Sequence, residues 1–150
     1  MARFSAGARA SSAGSATVPA GSLYASATVR AVLRECGVAN TTVTGAFDAA
    51  LYRLTTTGTQ GTGLTEDPHW PTVAGGPAAS CTAFNTHAVA PTLGNPVGYI
   101  WPIGAAVGSG IVWTFGDSGL IIPVGTANGI GILVPNGTPQ IWTFWFCWDE

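Results

Sequence analysis

Ser118 stands beside Asp117 in the tetrapeptide Gly116-Asp117-Ser118-Gly119, with His69 and His87 upstream. A nucleophilic serine needs a histidine to take its proton and a buried acid to hold that histidine. Between His87 and Ser118 the only acid is Asp117, which adjoins the serine itself. Glu35, Asp48, Glu66 and Asp67 lie further upstream and would have to enter in a foreign chain order. A tight turn between two strands accounts for all four residues. No catalytic residue, and no enzymatic activity, is expected.

Other chemistries are equally short of parts. Asp67 and His69 are the only closely spaced polar ligands, so no metal site is expected. Gly58-Thr59-Gln60-Gly61-Thr62-Gly63 lacks the Lys-Ser/Thr ending and following helix of a phosphate loop, and no cofactor is expected. Cys36, Cys81 and Cys147 are odd in number and lack CxxC or His-paired spacing. Buried thiols are the expectation, with one disulfide plus a spare thiol as the alternative. Asn40-Thr41-Thr42 and Asn136-Gly137-Thr138 are glycosylation sequons, relevant only in a secretory setting, and no apolar signal-peptide core is present. Trp70, Trp101 and Trp113 could form a glycan platform on a jelly-roll lectin. Aromatic residues are also favoured in cores and at protein interfaces, and that is the expected use of most of the six tryptophans here.

The elements that would position these residues follow from composition and period. The 150 residues fit one domain, able to bury roughly 70% of the unfolded chain's surface. Hydrophobic residues make up 47% and charged residues 8%, against about 25% charged in ordinary domains. Few charges are left to solubilise a free surface, which suggests that other subunits cover part of it, a monomer solubilised by its many Thr, Ser and Asn residues being the alternative. There is no lysine, and Arg3, Arg9, Arg30, Arg34 and Arg53 form no basic run. With a net charge of −2, nucleic-acid binding has no electrostatic footprint. No stretch reaches the roughly 20 apolar residues of a membrane-spanning helix, so no membrane partner is expected.

Residues Met1 to Ser22 are dominated by Ala, Ser and Gly, with only Phe4 and Val18 to anchor them. They are expected to form an extended N-terminal arm (1–22) clamped by a neighbouring subunit, ahead of a β-domain (23–150). A mitochondrial transit segment is the weaker reading, because two arginines without a helical apolar stripe make a poor one. From Leu23 onward, period-two alternation predicts strands near Tyr24–Cys36 and Phe47–Thr56. A long, Gly- and Pro-rich surface loop is expected over Thr57–Ala79. Further strands are predicted at Cys81–Val89, Gly98–Ile103, Gly110–Phe115, Leu120–Pro123, Gly129–Val134 and Gln140–Trp148. Asn136-Gly137 signals a hairpin. Some eight strands at this spacing predict an all-β, jelly-roll-like antiparallel β-sandwich.

The last strand is apolar on both faces, with Trp142, Phe144, Phe146 and Trp148 on one and Ile141, Thr143, Trp145 and Cys147 on the other. A strand covered on one side alternates with polar residues. The strand is therefore either central to the sandwich and capped on its outer face, or buried against another subunit; on the second reading a partner interface is expected at Arg3, Phe4, Arg9 and Val18 of the arm and at Trp142, Phe144, Trp145, Phe146 and Trp148.

Four stretches carry a family resemblance: Glu35-Cys-Gly-Val-Ala-Asn-Thr-Thr42, Ser80-Cys-Thr-Ala-Phe-Asn-Thr-His87, Trp113-Thr-Phe-Gly-Asp-Ser-Gly-Leu120 with Pro123 to Ile132, and Trp148-Asp-Glu150. From about Leu23 onward the chain resembles small structural proteins encoded by tailed bacteriophages. The resemblance implies a virion setting, with synthesis in the host cytoplasm, and the role of a capsid decoration (cement) protein. It further implies a homo-oligomer, by analogy a trimer, bound to the major capsid protein. A tail- or head-fibre-associated glycan-binding module, working through Trp70 and the long loop, is the alternative.

Overall fold

The computed structural model describes residues 1–12, 14–42, 45–69, 77–136 and 140–150. Among them there is no helix. The chain is all-β, and its strands form two antiparallel sheets packed face to face.

Sheet I is built on β1 (Arg3–Ser12), β3 (Ala31–Asn40) and β13 (Gln140–Asp149), three ten-residue strands. Its order is β10 (Gly110–Thr114), β3, β13, β1 and β6 (Asp67–Pro68), with β11 (Leu120–Ile122) on the same edge of β3 as β10. Sheet II runs β5 (Thr59–Gly63), β7 (Thr82–Val89), β2 (Gly21–Tyr24), β12 (Gly129–Leu133), β4 (Phe47–Leu54) and β8 (Leu93–Pro96). β9 (Trp101–Ile103) pairs with the start of β4.

Period two decides which residues enter the core. On β13, Trp142, Phe144, Phe146 and Trp148 are buried, whereas Ile141, Thr143, Trp145 and Cys147 are half-buried on the outer face. Phe4, Leu33 and Val38 join the first set from sheet I, and Leu23, Phe47, Leu51, Ile130 and Ile132 meet it from sheet II. Phe4 stacks on Trp148 with ring centroids 6.0 Å apart, and Phe47 lies 6.2 Å from Trp142. Full burial of one such side chain contributes about 1.5–3 kcal/mol.

The expected arm, clamped by a neighbouring subunit, differs from what the chain does. Residues 3–12 form β1 and pair along their whole length with β13, from Arg3 opposite Asp149 to Ser12 opposite Gln140. Ala2 and Glu150 exchange both backbone hydrogen bonds beyond the end of the ladder. The physical reason is complementary volume: Ala6, Ala8 and Ala10 stand opposite Phe146, Phe144 and Trp142. The small side chains leave the room that the large ones fill.

The partner-interface expectation is corrected in the same way. Phe4, Trp142, Phe144, Phe146 and Trp148 are buried inside their own chain, so they offer no surface to another subunit. Arg3 binds Asp149 within the chain, through Nε to Oδ1 at 2.7 Å and Nη2 to Oδ2 at 3.1 Å. Arg34 Nε reaches Oδ2 of the same carboxylate at 2.6 Å. The two guanidinium groups, that of Arg3 foremost, hold the Asp149 carboxyl below the usual carboxylate range. Val18 is half-buried, and Arg9 remains exposed.

The expected loop over Thr57–Ala79 contains two strands, β5 and β6, which pair with β7 and β1. Trp70 and Gly137 lie outside the described residues.

Candidate interaction surface

Ser118 lies in the exposed turn that joins β10 to β11. The backbone carbonyls of Gly116 and Asp117 accept hydrogen bonds from the Arg34 guanidinium, which pins that turn to β3. Neither histidine comes to Ser118: His69 Nε2 lies 2.9 Å from Ser5 Oγ, and His87 Nε2 lies 2.9 Å from Ser22 Oγ. Asp67 and His69 are brought to the β1 edge of sheet I, and no cluster of three or more metal-ligating side chains occurs among the described residues. Cys36, Cys81 and Cys147 are free thiols. Burial pushes Cys81 up to about 12 and raises Cys36 and Cys147 as well, so all three are weak nucleophiles.

The Ser22–His87 pair arises from a local irregularity that the sequence does not announce. Thr86 has φ +50°, unusual for a β-branched residue. It breaks the alternation of β7, so His87 lands on the same face of sheet II as Ser22 and Tyr24. The Tyr24 and His87 rings lie edge to face at 6.1 Å. Ser22 and His87 are both buried, which closes the pair to substrate. Burial lowers the His87 pKa, offset in part by the backbone of Thr57.

A pH dependence follows. The folded chain binds the His87 proton less readily than the unfolded chain, whose imidazole titrates near ~6.5. The unfolded state therefore binds more protons below that pH, and stability falls as pH drops through the window beneath it. Urea unfolding at pH 7.5 and pH 5.0 should show a lower midpoint at pH 5.0, and His87→Gln should flatten the difference. An unchanged difference in that variant would place the titrating group elsewhere.

Of the nine exposed large apolar side chains among the described residues, five fall in one stretch of chain, the others being Met1, Val89, Ile121 and Val124. Tyr99, Ile100 and Trp101 are 81%, 52% and 48% exposed, and Val107 and Val112 are exposed with them. All five belong to the stretch that enters sheet II as β9 and leaves into sheet I as β10, so it bridges the two sheets. Ile103 anchors it, buried opposite Phe47 of β4. β9 is three residues long and contains Pro102, which has no N–H to donate. Such an edge is poorly suited to adding another strand. What it offers is side chains.

The charge distribution isolates this edge further. Between His87 and Asp149 the sole charged residue is Asp117. Many of the remaining charges work inside the chain. Glu150 accepts the backbone N–H groups of Ser80 and Cys81 at 2.9 and 3.0 Å, and Glu35 accepts the Trp145 indole N–H at 3.0 Å. The sequence reading missed this edge because Gly98–Ile103 scans as another core strand. The signal that could have found it is the consecutive run Tyr99-Ile100-Trp101, since consecutive large apolar residues cannot all point inward from one strand.

No family model matches the chain, and no curated protein or solved structure matches it.

Proposed function

We propose that the chain is a structural protein of a tailed-bacteriophage virion: a capsid decoration (cement) subunit that stabilises the head through contacts with copies of itself and with the major capsid protein. The observation that carries this reading is the exposed apolar edge Tyr99–Ile100–Trp101 with Val107 and Val112, set in a half of the chain that is almost without charge. Exposed contiguous apolar surface marks interaction sites in soluble proteins. With no charge on this edge to select a differently charged partner, a second copy of the same edge is its natural complement, as in symmetric homo-oligomers. The resemblance of residues 35–42, 80–87 and 113–132 to phage structural proteins supports the virion setting. The contact assigned here differs from the one first expected, because the arm and the inner face of β13 are used up within the fold.

Light scattering on the full chain should give the mass of a discrete oligomer, a trimer on the cement reading. Tyr99→Ser combined with Ile100→Ser should shift it to the monomer and lower occupancy on purified capsids at least tenfold, without changing the melting temperature. A wild-type monomer at high concentration that leaves capsids undecorated would overturn the reading.

A further inference from the structure

The outer face of sheet I carries a second feature, which borders the apolar edge: Val112 stands opposite Gly37 on β3, and Gly37 opposite Trp145 on β13. Trp145 is half-buried there, and its cross-strand neighbours on both sides are glycines, Gly7 on β1 and Gly37 on β3. A Cβ on Gly37 would fall 2.4 and 2.6 Å from the far edge of the indole, so the ring lies directly over that strand. Its N–H donates to Glu35 Oε1 at 3.0 Å, which tethers the ring to β3. Covering a glycine is a structural job that an aromatic residue often takes. That job accounts for Gly37 but leaves Gly7, on the opposite side, uncovered.

Over Gly7 the surface is an open groove of about 640 Å³. Trp145 and Glu35 form one wall, Asp67 and His69 form the other, and Ser5 and Cys147 lie along it. β6 brings the second wall into place: Ser5 pairs with Asp67, and the His69 backbone N–H donates to the Arg3 carbonyl at 2.8 Å. The Ser5 hydroxyl and the His69 imidazole meet at 2.9 Å, so both are held in position before any ligand arrives.

We infer that this groove is a binding site for a neutral carbohydrate, one or two pyranose rings long. The chemistry matches on three counts. A fixed aromatic face accepts the C–H face of a sugar ring, and a concave site with a few placed polar groups is the usual form of a small-ligand site. Carboxylate, hydroxyl and imidazole groups on the rim supply the mixture of acceptors and donors that sugar hydroxyls require. Among the described residues the lining contains two carboxylates and no arginine, so an anionic sugar is disfavoured. A small organic cation would find the same carboxylates. Among the described residues it would find one aromatic wall and no cage, and Glu35 is already committed to the indole.

The test uses the full-length protein on an array of neutral glucan, galactan and mannan oligosaccharides, followed by calorimetry with the best of them. Saturable binding is expected, weakened at least tenfold by Trp145→Ala and severalfold by Asp67→Asn. Asp67 is exposed and distant from the core, so the second variant reads binding even if the first perturbs the sheet. Tetramethylammonium serves as the cation probe and should not compete. Absence of saturable binding to every neutral glycan, binding indifferent to both substitutions, or competition by tetramethylammonium would each overturn the assignment. None of these outcomes bears on the oligomer or capsid measurements.

Discussion

Removing residues 1–22 should abolish the native fold rather than release a free domain. The truncation takes all of β1, a strand flanked on both sides in sheet I, and also the first two residues of β2. It strips the cover from one edge of β13 along ten residue pairs. It removes Phe4 from its stack on Trp148 and leaves Asp149 without Arg3. Losing a buried Phe side chain alone costs about 3–5 kcal/mol, against a total stability of about 5–15 kcal/mol for a typical domain. The loss of the remaining pairs comes on top of that. The expected product is insoluble, or soluble without near-ultraviolet circular dichroism and without a cooperative thermal transition. If the shortened chain instead melts cooperatively at the full-length temperature, β1 is dispensable and behaves as an arm after all.

That strand also shows where local sequence stops being informative. Strands β4, β7 and β10 to β13 fall where alternation and turn residues predict them, and the two-sheet architecture follows from their number and spacing; the strand predicted over Tyr24–Cys36 is instead the end of β2, a loop and the first part of β3, which runs on to Asn40. β1 reads Arg-Phe-Ser-Ala-Gly-Ala-Arg-Ala-Ser-Ser, and with so little to bury it suggests an arm clamped by a neighbouring subunit rather than a strand of its own sheet. Its inward residues are small because their cross-strand partners are Phe and Trp, which lie at the opposite end of the chain. The large half of each pair is visible in the sequence, but the pairing is not. The same limit applies to the outer face of β13. That face looked too apolar for a monomer, yet Trp145 is accommodated by glycines on both neighbouring strands. β5 was missed for a simpler reason: Thr-Gln-Gly-Thr-Gly is an exposed edge strand, and with no core face it carries no apolar period.

Among single substitutions the largest loss is expected at the contact between the two sheets, where Phe144 of β13 lies against Gly21 of β2. A Cβ on Gly21 would sit 2.2 Å from the Phe144 ring, so the glycine exists to let the ring through. Phe144→Ala should cost about 3–5 kcal/mol, from lost burial and from the cavity left in a core that relaxes only in part. Gly21→Ala should cost about 1–3 kcal/mol, because the ring must leave its place in a close-packed interior. The decisive quantity is the sum. In the double variant the new methyl occupies part of the space the ring vacated, so Gly21→Ala should become neutral or stabilising in the Phe144→Ala background. That is a coupling of about 1–3 kcal/mol between residues more than a hundred positions apart. Urea unfolding midpoints at a common slope measure it directly. Strict additivity would mean that the two sheets do not stack with Phe144 on Gly21, and the registry between them would have to shift, since β2 and β13 carry that contact.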